Sequence, residues 1–223
     1  MIKLCIFDMD GLLIDSERQM WMKSMDIAAK EQGRIMTEEF HITFMGASLP
    51  EVAVMLKKEY GEDFDPDLFF NRCVEINAEI MKQGIPLCKG AKELLDYCKE
   101  NGIKMCIGTS TARIGTMNLL KIDGILDYFD GIVCGDEIKH GKPAPDIYLE
   151  CFNKFNFDKS EALIFEDGQA GAYAAIATGI RLVLVPDLAY LNEEVRSKAY
   201  KVLDSLDQTI ELIKEENETT TSV

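Results

Sequence analysis

The chain has 223 residues, 47% of them hydrophobic and 28% charged, the composition of a globular protein with enough apolar residues for a real core. Its formal net charge of −15 repels a phosphate-rich polymer, so no nucleic-acid partner is expected, whereas a small anion stays compatible if a metal and local lysines invert the field within a site. Only two histidines are present, which excludes a histidine-rich metal site. The seven cysteines form no Cys-x-x-Cys and read as buried thiols rather than disulfides or zinc ligands.

The first predicted element is the apolar run Leu4-Cys5-Ile6-Phe7, a short buried strand that stops at Asp8-Met9-Asp10-Gly11. Gly11 lets the chain turn and approach a ligand closely. An acidic pair at a strand end can hold a cation, and one carboxylate can attack while the other moves a proton. Read alone, the same residues are also an ordinary polar exit from a strand. From Leu13 to about Gly84 only helices are predicted. Ser16-x-x-Gln19 has the form of a capping box for a helix running to about Gln32. Val52, Met55, Leu56 and Tyr60 recur at helical spacing, as do Phe69, Cys73, Ile76 and Ile80, the latter series preceded by the cap Asp65-Pro66. Residues 15–83 are therefore expected to form a small helical domain inserted into an α/β core made of residues 1–14 and 84–223.

Beyond Lys89 helices and strands alternate. Helices are predicted over Ala91–Asn101, Ala112–Leu120, Pro145–Phe155, Gly168–Thr178 and Leu206–Lys214. Strands are predicted over Lys104–Gly108, Ile132–Cys134, Ala162–Phe165, Arg181–Val185 and near Val202-Leu203. Such alternation with nearly continuous apolar strands predicts an α/β fold, a Rossmann-like parallel sheet with helices on both faces. No stretch approaches membrane-spanning length, and the N-terminal apolar run is broken at once by Asp8, so a cytoplasmic protein is expected.

In an open parallel sheet ligands bind beyond the carboxyl ends of the strands. That rule gathers Asp8 and Asp10, then Thr109, Ser110 and Thr111, then Lys142 in Gly141-Lys142-Pro143-Ala144-Pro145, then Glu166 and Asp167. Singly, Lys142 would be a solvated loop lysine, Thr109 a helix cap, and the Glu166-Asp167 pair a cap for the following helix. Together, carboxylates from two loops, a hydroxyl and an ammonium suit magnesium-assisted phosphoryl transfer.

In these residues the chain resembles the haloacid dehalogenase superfamily along essentially its whole length. Phe7-Asp8-Met9-Asp10-Gly11 is similar to the first motif, Gly108-Thr109-Ser110 to the second, Gly141-Lys142-Pro143 to the third and Phe165-Glu166-Asp167 to the fourth. The helical insertion and Lys142-Pro143-Ala144-Pro145-Asp146 resemble the branch containing β-phosphoglucomutase and small sugar-phosphate phosphatases. The resemblance implies that Asp8 is a nucleophile forming an aspartyl phosphate and that Asp10 is the acid and then the base. Thr109, Ser110, Thr111 and Lys142 would bind the phosphoryl group. Mg2+ would be held by Asp8, the Asp10 carbonyl, Glu166 and Asp167, and the inserted helices would form a cap domain.

Mutases of that branch use a histidine in the first cap helix and basic cap residues for a second phosphate. Here Met20 takes the histidine's place, no histidine lies between Ser16 and Gln32, and Phe44-Met45-Gly46-Ala47-Ser48-Leu49-Pro50 has no lysine or arginine. The departure favours hydrolysis of a small phosphorylated metabolite, with Ser16, Met20, Met45, Ser48 and Leu49 as candidate substrate contacts; a β-phosphoglucomutase-type mutase is the alternative. A receiver-like phosphoacceptor domain is a more distant one, since receivers lack both an aspartate two residues after the nucleophile and a helical insertion. His140 reads as a surface or supporting loop residue, and a monomer is expected.

Overall fold

The computed structural model describes residues 1–44, 47–188 and 191–221. The chain divides into two compact units, Ser16–Ile85 and Met1–Asp15 with Pro86–Val223.

The Ser16–Ile85 unit is helical: α1 (Lys23–Glu31), α2 (Glu38–Ile42), α3 (Leu49–Tyr60) and α4 (Pro66–Gln83). Its core joins Ala28 and Ala29 of α1 to Leu56, Phe64, Phe69 and Cys73. Asp65 caps α4 as its Oδ1 accepts from the N–H groups of Asp67 and Leu68, both at 3.0 Å. Gln32 ties the end of α1 to that cap, donating to the Asp65 carbonyl and accepting from the Asp65 N–H, each at 2.9 Å. The predicted capping box at Ser16 does not form. Ser16 already has helical backbone angles, its side chain makes no capping hydrogen bond, and Glu17–Met22 winds as a π-helix before α1 begins. A capping box forms instead at Ser48, whose N–H and hydroxyl both donate to Glu51, at 2.7 and 2.6 Å.

The other unit contains a six-stranded parallel sheet in the order β3-β2-β1-β4-β5-β6. The strands are β1 (Leu4–Phe7), β2 (Lys104–Thr109), β3 (Gly131–Cys134), β4 (Ala162–Glu166), β5 (Arg181–Leu184) and β6 (Lys201–Val202). The helices between and after them are α5 (Ala91–Glu100), α6 (Arg113–Ile122), α7 (Asp146–Asn153), α8 (Gln169–Thr178), α9 (Glu193–Lys198) and α10 (Gln208–Thr221). Alternation along β1 separates the two faces of the sheet. Leu4 and Ile6 pack with Ile147 and Tyr148 of α7, Ala172 and Ala175 of α8 and Val195 of α9. Cys5, between them, points the other way, its sulfur 3.9 Å from that of Cys98 on α5. Every residue of β1 and β4 is buried, as strands covered on both faces must be.

The predicted core elements recur within a few residues, except that α10 extends beyond Lys214 to Thr221. Two short helices escaped prediction although each carries a start signal. Thr37 caps α2, its hydroxyl accepting from the Phe40 N–H, and Asn192 caps α9, accepting from the Val195 N–H. All seven cysteines are free thiols and all but Cys88 are buried. Among the described residues no helix is long and apolar enough to cross a membrane.

Candidate active site

Strand order reverses at β1, with chain progression running outward through β2 and β3 on one side and through β4, β5 and β6 on the other. A parallel sheet opens a crevice at such a switch point, beyond the carboxyl ends of its strands. Phe7 pairs with Ile107 of β2 and with Phe165 of β4, and its ring stacks on that of Phe165 at 4.9 Å between centroids. The register makes the next residues converge: the Asp8 N–H donates to the Phe165 carbonyl at 3.0 Å, which brings Asp8 level with Glu166.

Asp8, Glu166 and Asp167 are all buried, and each offers a carboxylate oxygen within 4.8 Å of the others. The Lys142 side chain, only 9% exposed, reaches between two of them. Its ammonium donates to Asp8 Oδ1 in a short contact and to Glu166 Oε1 at 2.7 Å. Burial raises the Asp8 carboxyl to about 7, with Lys142 opposing and Glu166 and Asp10 adding to the rise. Burial, followed by the Glu166 and Asp8 charges, likewise pushes Asp167 well above the usual carboxylate range. Burial alone would lower the Lys142 ammonium, but Asp8 and Glu166 outweigh it and hold the group charged. Three buried carboxylates thus stand around one ammonium that bonds to two of them. Such a set of hard oxygen donors fits a divalent cation such as Mg2+, which would offset the remaining negative charge.

Asp10 is partly exposed, on the loop that Gly11 turns with a φ of +79°. A Cβ at Gly11 would lie 2.5 Å from Asp167 Oδ2, so the turn also leaves room for that carboxylate. Asp10 Oδ2 accepts from the Thr111 hydroxyl at 2.7 Å and from the Thr109 hydroxyl at 3.3 Å. Thr109 in turn accepts from the Thr111 N–H at 3.1 Å, so the turn after β2 is closed by its own side chain. The threonines expected to grip a phosphoryl group therefore hold the Asp10 carboxylate, while Ser110 between them is exposed.

Of the other sequence candidates, Ser16 is buried with an unpartnered hydroxyl and Met20 is buried within the π-helix. Ser48 is engaged with Glu51, and Leu49 is exposed. Met45 lies outside the described residues. His140 is exposed, with its Nδ1 2.8 Å from Asp146 Oδ1 at the start of α7.

Two residues of the site went unnoticed in the sequence. Tyr148 is fully buried on α7 and its hydroxyl donates to Glu166 Oε1 at 2.6 Å. Burial, then the Glu166 and Asp8 charges, raise this phenol well above its ordinary range, so it stays a donor. A Cβ at Gly171 on α8 would fall 1.4 Å from the same Glu166 oxygen. Neither carries a local signal, because a tyrosine on an apolar helix face reads as core and a glycine in a small-residue helix as packing.

The haloacid dehalogenase-like hydrolase family profile matches residues 5–185. A Drosophila melanogaster protein named "Probable pseudouridine-5'-phosphatase" is 32% identical over 208 residues, 91% of this chain and 89% of its own. A Thermotoga maritima protein named "Phosphorylated carbohydrates phosphatase" is 30% identical over 178 residues, 80% of this chain and 82% of its own. The crystal structure of a β-phosphoglucomutase from Clostridium difficile superposes with a TM-score of 0.68 at 25% identity, covering 100% of both chains.

Proposed function

The chain belongs to the haloacid dehalogenase-like hydrolases and is a phosphoric monoester hydrolase of that family; from this premise we propose that it is a Mg2+-dependent phosphatase of a small phosphomonoester, a sugar phosphate or related metabolite, acting through an aspartyl phosphate on Asp8. The observation that carries the reading is the Lys142 ammonium seated on Asp8 at the switch point of the sheet, with Asp10 two residues further on.

Asp8 attacks phosphorus through a carboxylate oxygen, and the leaving oxygen takes a proton from Asp10. Asp10 then removes a proton from the water that cleaves the acyl phosphate. The Thr111 and Thr109 hydroxyls set the position of its carboxylate between the two steps. The Thr109–Thr111 turn and Lys142 face the charge of the transferring group. Mg2+ would be held by Asp8 and Asp167, with Glu166 in the same acidic set and the Asp10 carbonyl as a further candidate ligand, and would supply charge neutralisation for the transfer. The inserted helical unit is our candidate for selecting the leaving group. We place the enzyme in the cytoplasm as a monomer.

Hydrolysis is favoured over a mutase because the Phe44–Pro50 segment has no basic residue and Met20 stands where a mutase has histidine. The test is turnover on a panel of phosphomonoesters with Mg2+, including β-glucose 1-phosphate with the 1,6-bisphosphate, following both phosphate release and isomer formation. Phosphate release that disappears in Asp8→Asn is the expected result. Rapid isomerisation with little free phosphate would replace the phosphatase by the mutase.

A further inference from the structure

Glu166 has no acceptor position to spare. Its Oε1 accepts from Lys142 at 2.7 Å and from Tyr148 at 2.6 Å, and its Oε2 accepts from the N–H groups of Asp167 at 2.9 Å and Gly168 at 3.0 Å. A carboxylate offers about four such positions. The Tyr148 ring also lies beneath the same ammonium, with Nζ 4.8 Å from its centroid. A core aromatic that only filled space would need no hydroxyl, and burying one unpaired would be costly. Here the hydroxyl has one partner, and space for that partner is kept open from the neighbouring helix α8 by Gly171.

We infer that Tyr148 is a positioning residue: its hydroxyl fixes the Glu166 carboxylate, and Glu166 fixes the Lys142 ammonium on Asp8. Glu166 then serves chiefly as an anchor for Lys142, leaving Asp8 and Asp167 as the carboxylates that would hold the cation directly. The inference rests on the phosphatase reading above. Without the hydroxyl, Lys142 becomes the only side-chain donor to Glu166 and is drawn toward it, away from Asp8. Charge compensation is then lost where it matters most, in the transition state, so the effect falls on kcat rather than KM.

The test is Tyr148→Phe, which keeps the ring, assayed on the best substrate of the panel. The expected result is a kcat lower by about tenfold or more, the scale of one hydrogen bond to a charged group. KM stays within about threefold, as does the Mg2+ affinity of the substrate-free protein by calorimetry, and the melting temperature is essentially kept. In the Glu166→Gln background the same substitution adds little, because the two changes break one linkage. A wild-type kcat in Tyr148→Phe overturns the inference. So does a fall in kcat matched by loss of Mg2+ affinity or of folded protein, or full additivity with Glu166→Gln. If the wild-type enzyme hydrolyses nothing on the panel, the phosphatase reading fails and the inference with it; if it turns over and Tyr148→Phe is unchanged, only the inference fails.

Discussion

Two opposed influences act on the Asp8 carboxyl. Burial lifts its carboxyl to about 7, and the Lys142 ammonium pulls the other way. The native state therefore binds this proton more tightly than the unfolded chain, whose aspartate titrates near 3.8. A raised folded value contributes stability that is complete below the unfolded value and lost as pH rises through the folded one. Asp167, raised for the same first reason, acts with the same sign. The surface carboxylates lowered by their partners, such as Glu51 by Ser48 and Asp63 by Arg34, contribute in the opposite sense, and that change is over by about pH 5. Between about pH 5 and 8 the buried pair therefore weakens the metal-free fold. A divalent cation among the carboxylates removes the penalty, so the rise in melting temperature caused by Mg2+ relative to EDTA is expected to be larger at pH 8 than at pH 5. Equal rises at the two pH values would contradict the placement of the cation beside Asp8 and Asp167.

At the level of elements, α7 and α8 hold Glu166 from two directions. From α7, the first-turn residue Tyr148 brings a hydroxyl, and from α8 Gly171 brings empty space, while the N–H groups of Asp167 and Gly168 bind the other oxygen. The cap role that Glu166-Asp167 would have taken singly is not the one it plays: α8 has no side-chain capping hydrogen bond, and Glu166 accepts from the Asp167 and Gly168 N–H groups ahead of that helix while anchoring Lys142. Alanine at Gly171 improves helix propensity by up to about 1 kcal/mol, yet its Cβ would displace Glu166. Gly171→Ala is expected to fold while losing at least about a hundredfold in kcat/KM, measured with circular dichroism as the control for folding. Activity within a factor of about two of wild type would show that Glu166 can move without consequence. The elements themselves were legible where physics acts locally. Strands buried on both faces leave continuous apolar runs, and Asp65-Pro66 is a start signal whose hydrogen bonds form as expected. The pattern at Ser16 misled because one turn of π-helix replaces the capped start.

For the molecule as a whole, parallel strand alternation predicts the sheet, and the switch-point rule predicts which loops meet. Asp8, Lys142, Glu166 and Asp167 could be gathered from sequence for that reason. Hydroxyl direction could not. Thr109 and Thr111 turn to Asp10 because the carboxylate lies 99 and 101 residues away in sequence but across one turn in space. Tyr148 was unreadable for a related reason: its partner lies at the end of β4, 18 residues on, and nothing in the apolar helix face around it marks the hydroxyl as used. The second aspartate two residues after the first, on a loop that Gly11 turns, together with the helical insertion, is our reason for reading this chain as an enzyme rather than a phosphoacceptor that does not turn over.

On the proposed mechanism phosphorus passes through Asp8. An acyl phosphate is reduced by borohydride to an alcohol, so quenching the enzyme during turnover and reducing it converts a phosphorylated aspartate to homoserine. Peptide mass spectrometry is expected to find homoserine at position 8, dependent on Mg2+ and on substrate, and nowhere else in the chain. Steady phosphate release with an unmodified Asp8, or homoserine at Asp10 instead, would contradict the account.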